Sequence, residues 1–447
     1  MKSFNGNCTH LLALLIALLI IGCSKSDNPT TPPTQTDPAK SKVAVDQGNQ
    51  ILIPKLDSMI SSRSVDTSSS GFSSALSLYQ QALTYDPNNL DAHFGYATTE
   101  VLTIMNDPDI RGLFAGNNFF APLSLAFTRN LNTQSVLGSV LPATVWDGTQ
   151  STYVPTPLSF YSGFRKESAT HPFSYYQDLV EAKVLPKLAD AIAHFKVISQ
   201  NSSFAMYIHG EDLGGGTGDS IRIDLTEVYL LLACVNYIDA VGSFVTAYNV
   251  DYNATDSLAV LHAWQTGSSF LALRANGSQR MKDTKTGILG MSQSIADGIN
   301  YFISQSPHPG IDLIRYKPSD RDGLLSVVKG MDSLKTVLSN PYSVPAPSGA
   351  IRVNLASFFD NAIPDFKAKL PAYTVQVHRR YVYVYPGGSY VSSDFSATLT
   401  WVQTSFATWV IPDPKMNGFF PDLTDATFKS TFGITAGTWK PSIEFKL

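Results

Sequence analysis

The sequence predicts a mainly α protein, in which helical hairpins form an α-α array with one or two small β-hairpins and an irregular C-terminal tail. Three observations lead to this prediction. Apolar and small residues recur at three- and four-residue steps over many long stretches, as on the buried faces of helices. Alternating stretches of the strand type occur in only two places, and beyond residue 409 proline and glycine interrupt the pattern repeatedly.

Composition excludes two broad classes of protein. Of the 447 residues 44% are hydrophobic and 15% are charged, which indicates a folded chain with a large apolar interior rather than a disordered one. Lys and Arg together number 32 against 36 Asp and Glu, and the sequence contains no long basic cluster. The charge pattern expected of a nucleic-acid-binding protein is therefore missing.

A helical hairpin is predicted between residues 71 and 102. Ala75, Tyr79 and Ala82 follow one another at four- and three-residue steps, which places them on one face of a first helix. The pair Asp86-Pro87 ends this helix, because the residue before a proline avoids the α region. A second helix is expected to start near Asn89, since small and aromatic residues again recur at helical spacing.

This hairpin resembles the tetratricopeptide repeat, with the second helix of one repeat followed by the first helix of the next. The residues that stand at characteristic positions of the family are Ala75, Tyr79, Ala82, Pro87 and Ala97. Two residues depart from the pattern: His93 stands where the family usually has a large aromatic residue, and Glu100 where it usually has tyrosine. The resemblance covers about 30 residues, so other helices are expected to complete the stack.

The resemblance implies a concave groove of the kind that such repeats present to a partner. Helical spacing would place Asp91, Phe94 and Thr98 on this groove. These three residues are the predicted binding surface, and the expected occupant is a protein.

Further helices are predicted along the chain. Apolar residues at helical spacing lie within VLPKLADAIAHFKVI, and Asp224 with Glu227 forms a capping box for a helix that runs to about Tyr248. This nearly apolar helix is interpreted as a central core helix rather than a membrane span, and Cys234 within it is expected to be a buried, inert thiol. The remaining helical patterns cover residues 256–274, 288–304, 322–338 and 352–368.

Two β-hairpins and a short C-terminal helix complete the prediction. Residues 204–208 and 221–223 flank a glycine-rich segment that suits a hairpin turn, and residues 374–402 indicate two strands that turn at Pro386-Gly387-Gly388. Thr424 is expected to cap a short helix in the irregular tail.

The N-terminal segment has the layout of a signal peptide, with Lys2 followed by an apolar run from Leu11 to Ile21. This run is too short for a spanning helix, which needs roughly 20 residues. The sequence Ile20-Ile21-Gly22-Cys23 resembles the lipobox of bacterial lipoproteins, and the resemblance implies that Cys23 carries the lipid. It also implies that Ser24 directs the protein to the outer membrane.

The domain organisation follows from these segments. Residues 1–22 are the predicted signal peptide, and residues 23–42, rich in proline, threonine and serine, are a predicted tether. A helical domain is expected over 43–368, with the repeat-like hairpin at 71–102. The expected β-hairpin and irregular tail, over 369–447, pack on that domain.

Patterns typical of catalytic and metal sites are not found. The eight histidines show no His-x-x-x-His spacing, so neither a metal site nor a cofactor is predicted. Donor residues cluster at His209-Gly210-Glu211-Asp212 and again at Asp251, Asn253 and Asp256, where solvated turns and helix capping are the expected roles. We therefore expect a protein without enzymatic activity.

Three functions remain open. The first is an envelope-anchored lipoprotein whose helical body binds or scaffolds a protein partner. The second is a glycan-binding outer-membrane lipoprotein similar in role to the SusD group, which also combines tetratricopeptide-like helices with loops. The third is an envelope enzyme without a recognisable motif, which turnover of peptidoglycan or glycan substrates would reveal.

Overall fold

The structure of the protein is a computed structural model. It describes residues 36–62, 71–107, 109–110, 172–208, 220–251, 263, 267–305, 320–345, 349–369, 373–383, 391–401, 410–431 and 442–446. The predicted signal peptide, the lipid attachment site at Cys23 and the glycine-rich segment after residue 208 lie outside these residues.

The described chain is mostly helical, as predicted. Its helices are α1 (Pro38–Ser62), α2 (Gly71–Tyr85), α3 (Leu90–Leu102), α4 (Phe173–Leu179), α5 (Leu185–Ser199), α6 (Leu225–Ala247), α7 (Gly277–Ser304), α8 (Arg321–Ser339), α9 (Leu355–Asp360) and α10 (Asp425–Thr431). A turn of π-helix at Val180–Val184 joins α4 to α5, and short 3-10 turns cover Thr103–Asn106, Lys367–Lys369 and Met416–Gly418.

Within the described residues, three small antiparallel sheets accompany the helices. The first pairs β1 (Ala205–Ile208) with β2 (Ile221–Asp224), and the second pairs β3 (Tyr342–Val344) with β4 (Ile351–Val353). The third contains β5 (Tyr373–Tyr383), β6 (Val391–Trp401) and β7 (Ser442–Lys446) in that order. The first pair and the β5–β6 pair confirm the predicted hairpins, whereas β3, β4 and β7 were not predicted.

The chain divides into two compact units built from discontinuous segments. The first unit contains the described residues within Met1–His171, Tyr175–Ser243 and Thr286–Lys335. The second contains those within Pro172–Ser174, Phe244–Lys285 and Thr336–Leu447. The second unit therefore joins residues from both sides of the predicted boundary at residues 368 and 369.

In the first unit, helices α1, α2, α3 and α5 pack one on the next in chain order. The predicted hairpin at 71–102 is present as α2 and α3, and the predicted small residues Ala75, Ala82 and Ala97 are fully buried. Tyr79 is fully buried between the two neighbours of α2, with its ring against Gly48 of α1 and Gly95 of α3. Close packing around this ring thus depends on two glycines that have no Cβ.

The start of α1 corrects the predicted tether. Residues 38–42 are helical rather than extended, because Asp37 caps the helix: its carboxylate accepts a hydrogen bond of 3.0 Å from the Lys40 amide. Pro38 occupies the first helical position, where a missing N–H costs nothing. The Asp37 amide also donates to the Tyr85 carbonyl at 2.8 Å, which ties the beginning of α1 to the end of α2.

The capping box predicted for α6 is confirmed. The Thr226 amide donates to the Asp224 carboxylate at 2.7 Å, and the Asp224 amide donates to the Glu227 carboxylate at 2.9 Å. Among the described residues, α6 is the one helix long and apolar enough to cross a membrane, and 61% of its most apolar window is buried within the protein. That burial agrees with the predicted core position.

Other helix predictions are met in part. The predicted helices at 288–304 and 322–338 are present as parts of α7 and α8. Residues 267–274, predicted helical, form turns and isolated bridges, and the predicted helix at 352–368 is reduced to the six residues of α9. Thr424 caps α10 as predicted, because its hydroxyl accepts a hydrogen bond from the Thr427 amide at 3.2 Å.

The second unit contains an ordered part of the predicted irregular tail. Asp413 accepts hydrogen bonds from the Asn417 amide at 2.9 Å and from the Lys369 ammonium at 2.7 Å. Asn417 has a φ of 54°, a left-handed conformation that asparagine tolerates better than most residues. In the same unit Asp251 caps α4 through the Ser174 amide at 3.0 Å, which agrees with the capping role predicted for it.

Candidate functional site

A polar cluster fills part of the interface between α3 and α5 in the first unit. We call it the α3–α5 polar cluster, and its members are His93, Tyr96, Glu100, Lys187, Asp190 and His194. On each helix the three members follow at three- and four-residue steps, so they share one face of that helix. Burial and perturbed pKa values in one place make this cluster the strongest candidate site among the described residues.

Apolar residues border the cluster and fix the distance between the two helices. The Phe94 ring lies edge-on to that of Phe195, with centroids 6.3 Å apart, and it lies 6.1 Å from the ring of Phe204. All three side chains are buried. Aromatic packing therefore holds the interface closed around the cluster, of which Asp190 alone is exposed.

Glu100 and Lys187 form a buried ion pair. The Lys187 ammonium lies 2.8 Å from Oε1 of Glu100, and both side chains are more than nine-tenths buried. Burial raises the pKa of Glu100 to about 7, with a further rise from the charge of Asp190. Burial also lowers the pKa of Lys187 to about 8, against the attraction of Asp190. Burial thus moves the pKa values of both groups toward neutral pH.

The other carboxylate oxygen of Glu100, Oε2, is buried and accepts no hydrogen bond from the residues that the structure describes. The hydroxyls of Thr98 and Thr99 on the same helix are also buried without a partner. Such groups cost free energy unless a hydrogen-bonding partner reaches them. Helix α3 therefore carries more buried polar groups than the described residues around it satisfy.

His93 and His194 meet through their Nδ1 atoms, which are 2.6 Å apart. Nε2 of His93 lies 2.9 Å from the Pro87 carbonyl, which can only accept, so Nε2 of His93 carries a proton. In neutral His93 the Nδ1 atom is then an acceptor, and the Nδ1–H of His194 must be the donor. The Pro87 carbonyl thereby sets the tautomers of both rings.

Their surroundings favour the neutral form of both histidines. Burial lowers the pKa of His194 to about 4, and the neighbouring His93 lowers it further. Burial also lowers the pKa of His93, against the hydrogen bond to Pro87 and the charge of Asp86. The Tyr96 ring lies against that of His194, with centroids 4.3 Å apart. Neutral rings joined by one hydrogen bond are the arrangement expected at pH 7.

The cluster does not form a metal site. Two nitrogens 2.6 Å apart share a proton and leave no space for an ion between them. No group of three or more potential metal ligands occurs within the part of the chain that the structure describes. The prediction for His209-Gly210-Glu211-Asp212 concerns residues outside that part.

The predicted groove residues do not form a common open surface. Asp91 is exposed, whereas Phe94 and Thr98 are 6% and 3% exposed. The prediction is wrong for Phe94 and Thr98, because α3 is surrounded by neighbouring elements and its face with these two residues is turned to the core. Helical spacing alone could not show that α3 is a central helix.

The sequence did contain a signal for the polar cluster. His93 and Glu100 are the two residues that depart from the tetratricopeptide pattern, and both belong to the cluster. Their partners Lys187 and His194 lie about 90 to 100 residues further along the chain. No sequence pattern joins positions so far apart, so the pairing is visible only in the structure.

Two further buried groups have structural roles. Burial raises the pKa of Glu227 to about 8, and its carboxylate caps α6 through the Asp224 amide. Cys234 is partly exposed as a residue, but burial of its thiol raises the pKa to about 12. A thiol with so high a pKa contains little thiolate at neutral pH, in agreement with the predicted inert character.

Comparisons with protein-family models, with curated proteins and with solved structures found no match for this chain. Its function is therefore inferred from its residues and their arrangement.

Proposed function

We propose that the protein is an envelope-anchored lipoprotein whose helical body is a non-catalytic binding or scaffolding module for a protein partner. The lipid at Cys23 holds it to the outer membrane, and the tetratricopeptide-like hairpin at 71–102 is part of the binding body. Neither a cofactor nor nucleic acid takes part in this function.

One observation carries the proposal for the body: α1, α2, α3 and α5 pack one on the next in chain order. Such arrays leave the sides of their alternate helices free, and proteins of this architecture bind partners along those sides. The side chains of two alternate helices form an open surface rather than a closed cavity. Such a surface suits an extended partner such as a protein segment.

The proposed contact surface lies on the alternate helices α1 and α3. Lys42 and Asp46 of α1 are exposed and form an ion pair of 3.0 Å. Partial burial of its carboxylate raises the pKa of Asp91 of α3, while the nearby charge of Lys42 lowers it and that of Asp46 raises it. Val43 of α1 is 56% exposed beside them. Of the groove residues expected from the sequence, this surface retains Asp91 only.

The closed state of the polar cluster supports a non-catalytic role. Glu100 and Lys187 titrate near neutral pH, as acid-base catalysts do, but both are buried and paired with each other. A substrate could not reach either group without separation of α3 from α5.

Affinity capture with a charge-reversal variant tests the contact surface. The variant combines Lys42→Glu, Asp46→Lys and Asp91→Lys, and a matched control reverses three exposed charges of α8 with the same net change: Lys329→Glu, Asp322→Lys and Asp332→Lys. We expect the unaltered protein and the control to retain a stoichiometric envelope protein that the first variant loses. Equal retention by all three proteins would contradict the proposed surface, and binding to glycans instead would favour the SusD-like alternative.

The anchor is tested separately through Cys23→Ala. We expect this variant to remain unprocessed and unacylated, because the cysteine is the residue that the lipobox resemblance implies as the lipid carrier. Mass spectrometry of the N-terminal peptide and membrane fractionation would check it. Normal acylation of the variant, or a mature N-terminus at another residue, would refute the lipoprotein assignment.

A further inference from the structure

We propose that the contact between His93 and His194 makes the packing of α3 against α5 acid-labile: protonation of both imidazoles separates the two helices. This inference does not depend on the identity of the partner. It rests on the geometry of the histidine pair and on the groups that face it.

The pair can hold only one proton between its two Nδ1 atoms. Nε2 of His93 already carries a proton, which it donates to the Pro87 carbonyl. A second proton on His93 would therefore have to bind at Nδ1, opposite the Nδ1–H of His194. Two N–H groups cannot point at each other across 2.6 Å, because neither is an acceptor. Full protonation is therefore incompatible with the packed interface.

The charged groups around the two histidines have opposing effects on protonation of the pair. Asp86 before α3 attracts a proton to His93, whereas Asp190 of α5 and Glu100 of α3 lie on the same side as Tyr96. The neighbouring cation is Lys187, which is already paired with Glu100. No carboxylate within the described residues makes a direct ion pair with either imidazole.

Separation of the helices changes the number of bound protons. In solvent both histidines regain a pKa near 6.5, so each takes up a proton below that pH. Glu100 acts in the opposite sense: its pKa falls from about 7 in the packed state toward its ordinary value of 4.5, so it releases a proton on opening. Where both histidines are neutral in the packed state and charged in the open state, opening takes up two protons and releases one from Glu100.

This difference in bound protons determines whether acid strengthens or weakens the packing of α3 against α5. A group with a lowered pKa in the packed state stabilises packing above its ordinary pKa, and this stabilisation is lost as the pH falls. A net uptake of one proton raises the open population about tenfold for each pH unit below 6.5. Glu100→Leu with Lys187→Met removes the opposing group without leaving a buried ammonium unpaired, and the dependence should steepen toward about a hundredfold per unit.

Hydrogen exchange measured by mass spectrometry on the full-length protein in detergent tests the proposal. Exchange of the α3 and α5 peptides is followed from pH 7 to pH 4.5, corrected for intrinsic exchange rates, and referred to the α7 peptides. We expect opening of α3 and α5 to rise about tenfold per unit relative to α7, and more steeply in the double variant Glu100→Leu with Lys187→Met.

Two variants remove one titrating ring each. His194→Asn keeps an N–H donor for His93 without a titrating ring, and His93→Gln keeps a donor for the Pro87 carbonyl if the first variant does not fold. Either variant should flatten the pH dependence, whereas His378→Asn in β5 should leave it unchanged. Equal acceleration of α5 and α7, or an unchanged slope in both interface variants, would overturn the proposal.

Discussion

The two sides of α3 are packed by opposite means. Toward α2, α3 presents Gly95 to the buried ring of Tyr79, and the contact is made of small residues and one aromatic ring. Toward α5 it presents His93 and Glu100, which meet His194 and Lys187 through a hydrogen bond and an ion pair. The stability of the α2–α3 interface depends on how well the side chains fit together. The stability of the α3–α5 interface depends on which polar groups carry protons.

This difference has an energetic consequence. A close-packed apolar interface becomes less stable when a substitution changes the volume of its side chains, but its stability does not depend on pH. A buried ion pair adds little net stability over an apolar replacement, yet it is strongly destabilising when one partner is removed. The α2–α3 contact therefore suits a permanent hairpin, and the α3–α5 contact suits a joint whose strength depends on conditions.

The largest effect is expected from removal of one partner of the ion pair. Lys187→Met should destabilise the protein by about 3 to 5 kcal/mol at pH 8, because Glu100 is left buried without a counterion. Urea unfolding followed by circular dichroism would measure it. At pH 5 the loss should be smaller, since the raised pKa of Glu100 allows the carboxyl to take up a proton.

The matched control is the double variant Lys187→Met with Glu100→Leu. Apolar replacement of both partners should recover most of the stability that the single variant loses at pH 8. If the single and double variants are equally unstable, packing rather than charge determines this interface.

A smaller effect is expected where a glycine contacts Tyr79. Gly95→Ala should destabilise the protein by about 1 to 3 kcal/mol, because the added Cβ enters the space of the Tyr79 ring. Gly323→Ala in α8 is the control, since nothing lies within 4 Å of the added Cβ and alanine favours a helix. Thermal unfolding that gives the same shift for both variants would contradict the close contact.

Ala82→Leu is expected to cost a comparable or smaller amount, about 1 to 3 kcal/mol. Ala82 is fully buried, and its carbonyl accepts a hydrogen bond of 2.9 Å from the Ser41 hydroxyl of α1. The larger side chain must therefore displace α1 or α3. An unchanged melting temperature would mean that the array has space at this position.

The smallest effect concerns Cys234. Its thiol pKa of about 12 predicts slow reaction with a thiol reagent in the native protein and fast reaction after unfolding in urea. The rate of labelling, measured by absorbance, checks this. Fast labelling of the native protein would show that the packing around α6 opens readily.

The sequence predicted the elements that depend on local chemistry. The α2–α3 hairpin follows from small and aromatic residues at helical spacing and from the break at Pro87, and the start of α6 follows from a capping box. The start of α1 at Asp37-Pro38 also depends on neighbouring residues, but the proline-rich sequence around it indicated a tether instead. In these cases neighbouring residues contain the information, because caps and turns involve positions only a few residues apart.

The tertiary structure alone decided which faces of the helices are buried and which residues meet. Helical spacing placed Asp91, Phe94 and Thr98 on one side of α3, but it could not show that other elements cover Phe94 and Thr98. It showed His93 and Glu100 as departures from a pattern without naming their partners. Those partners lie on α5, and contacts between distant segments depend on how whole helices pack, which no local pattern of residues specifies.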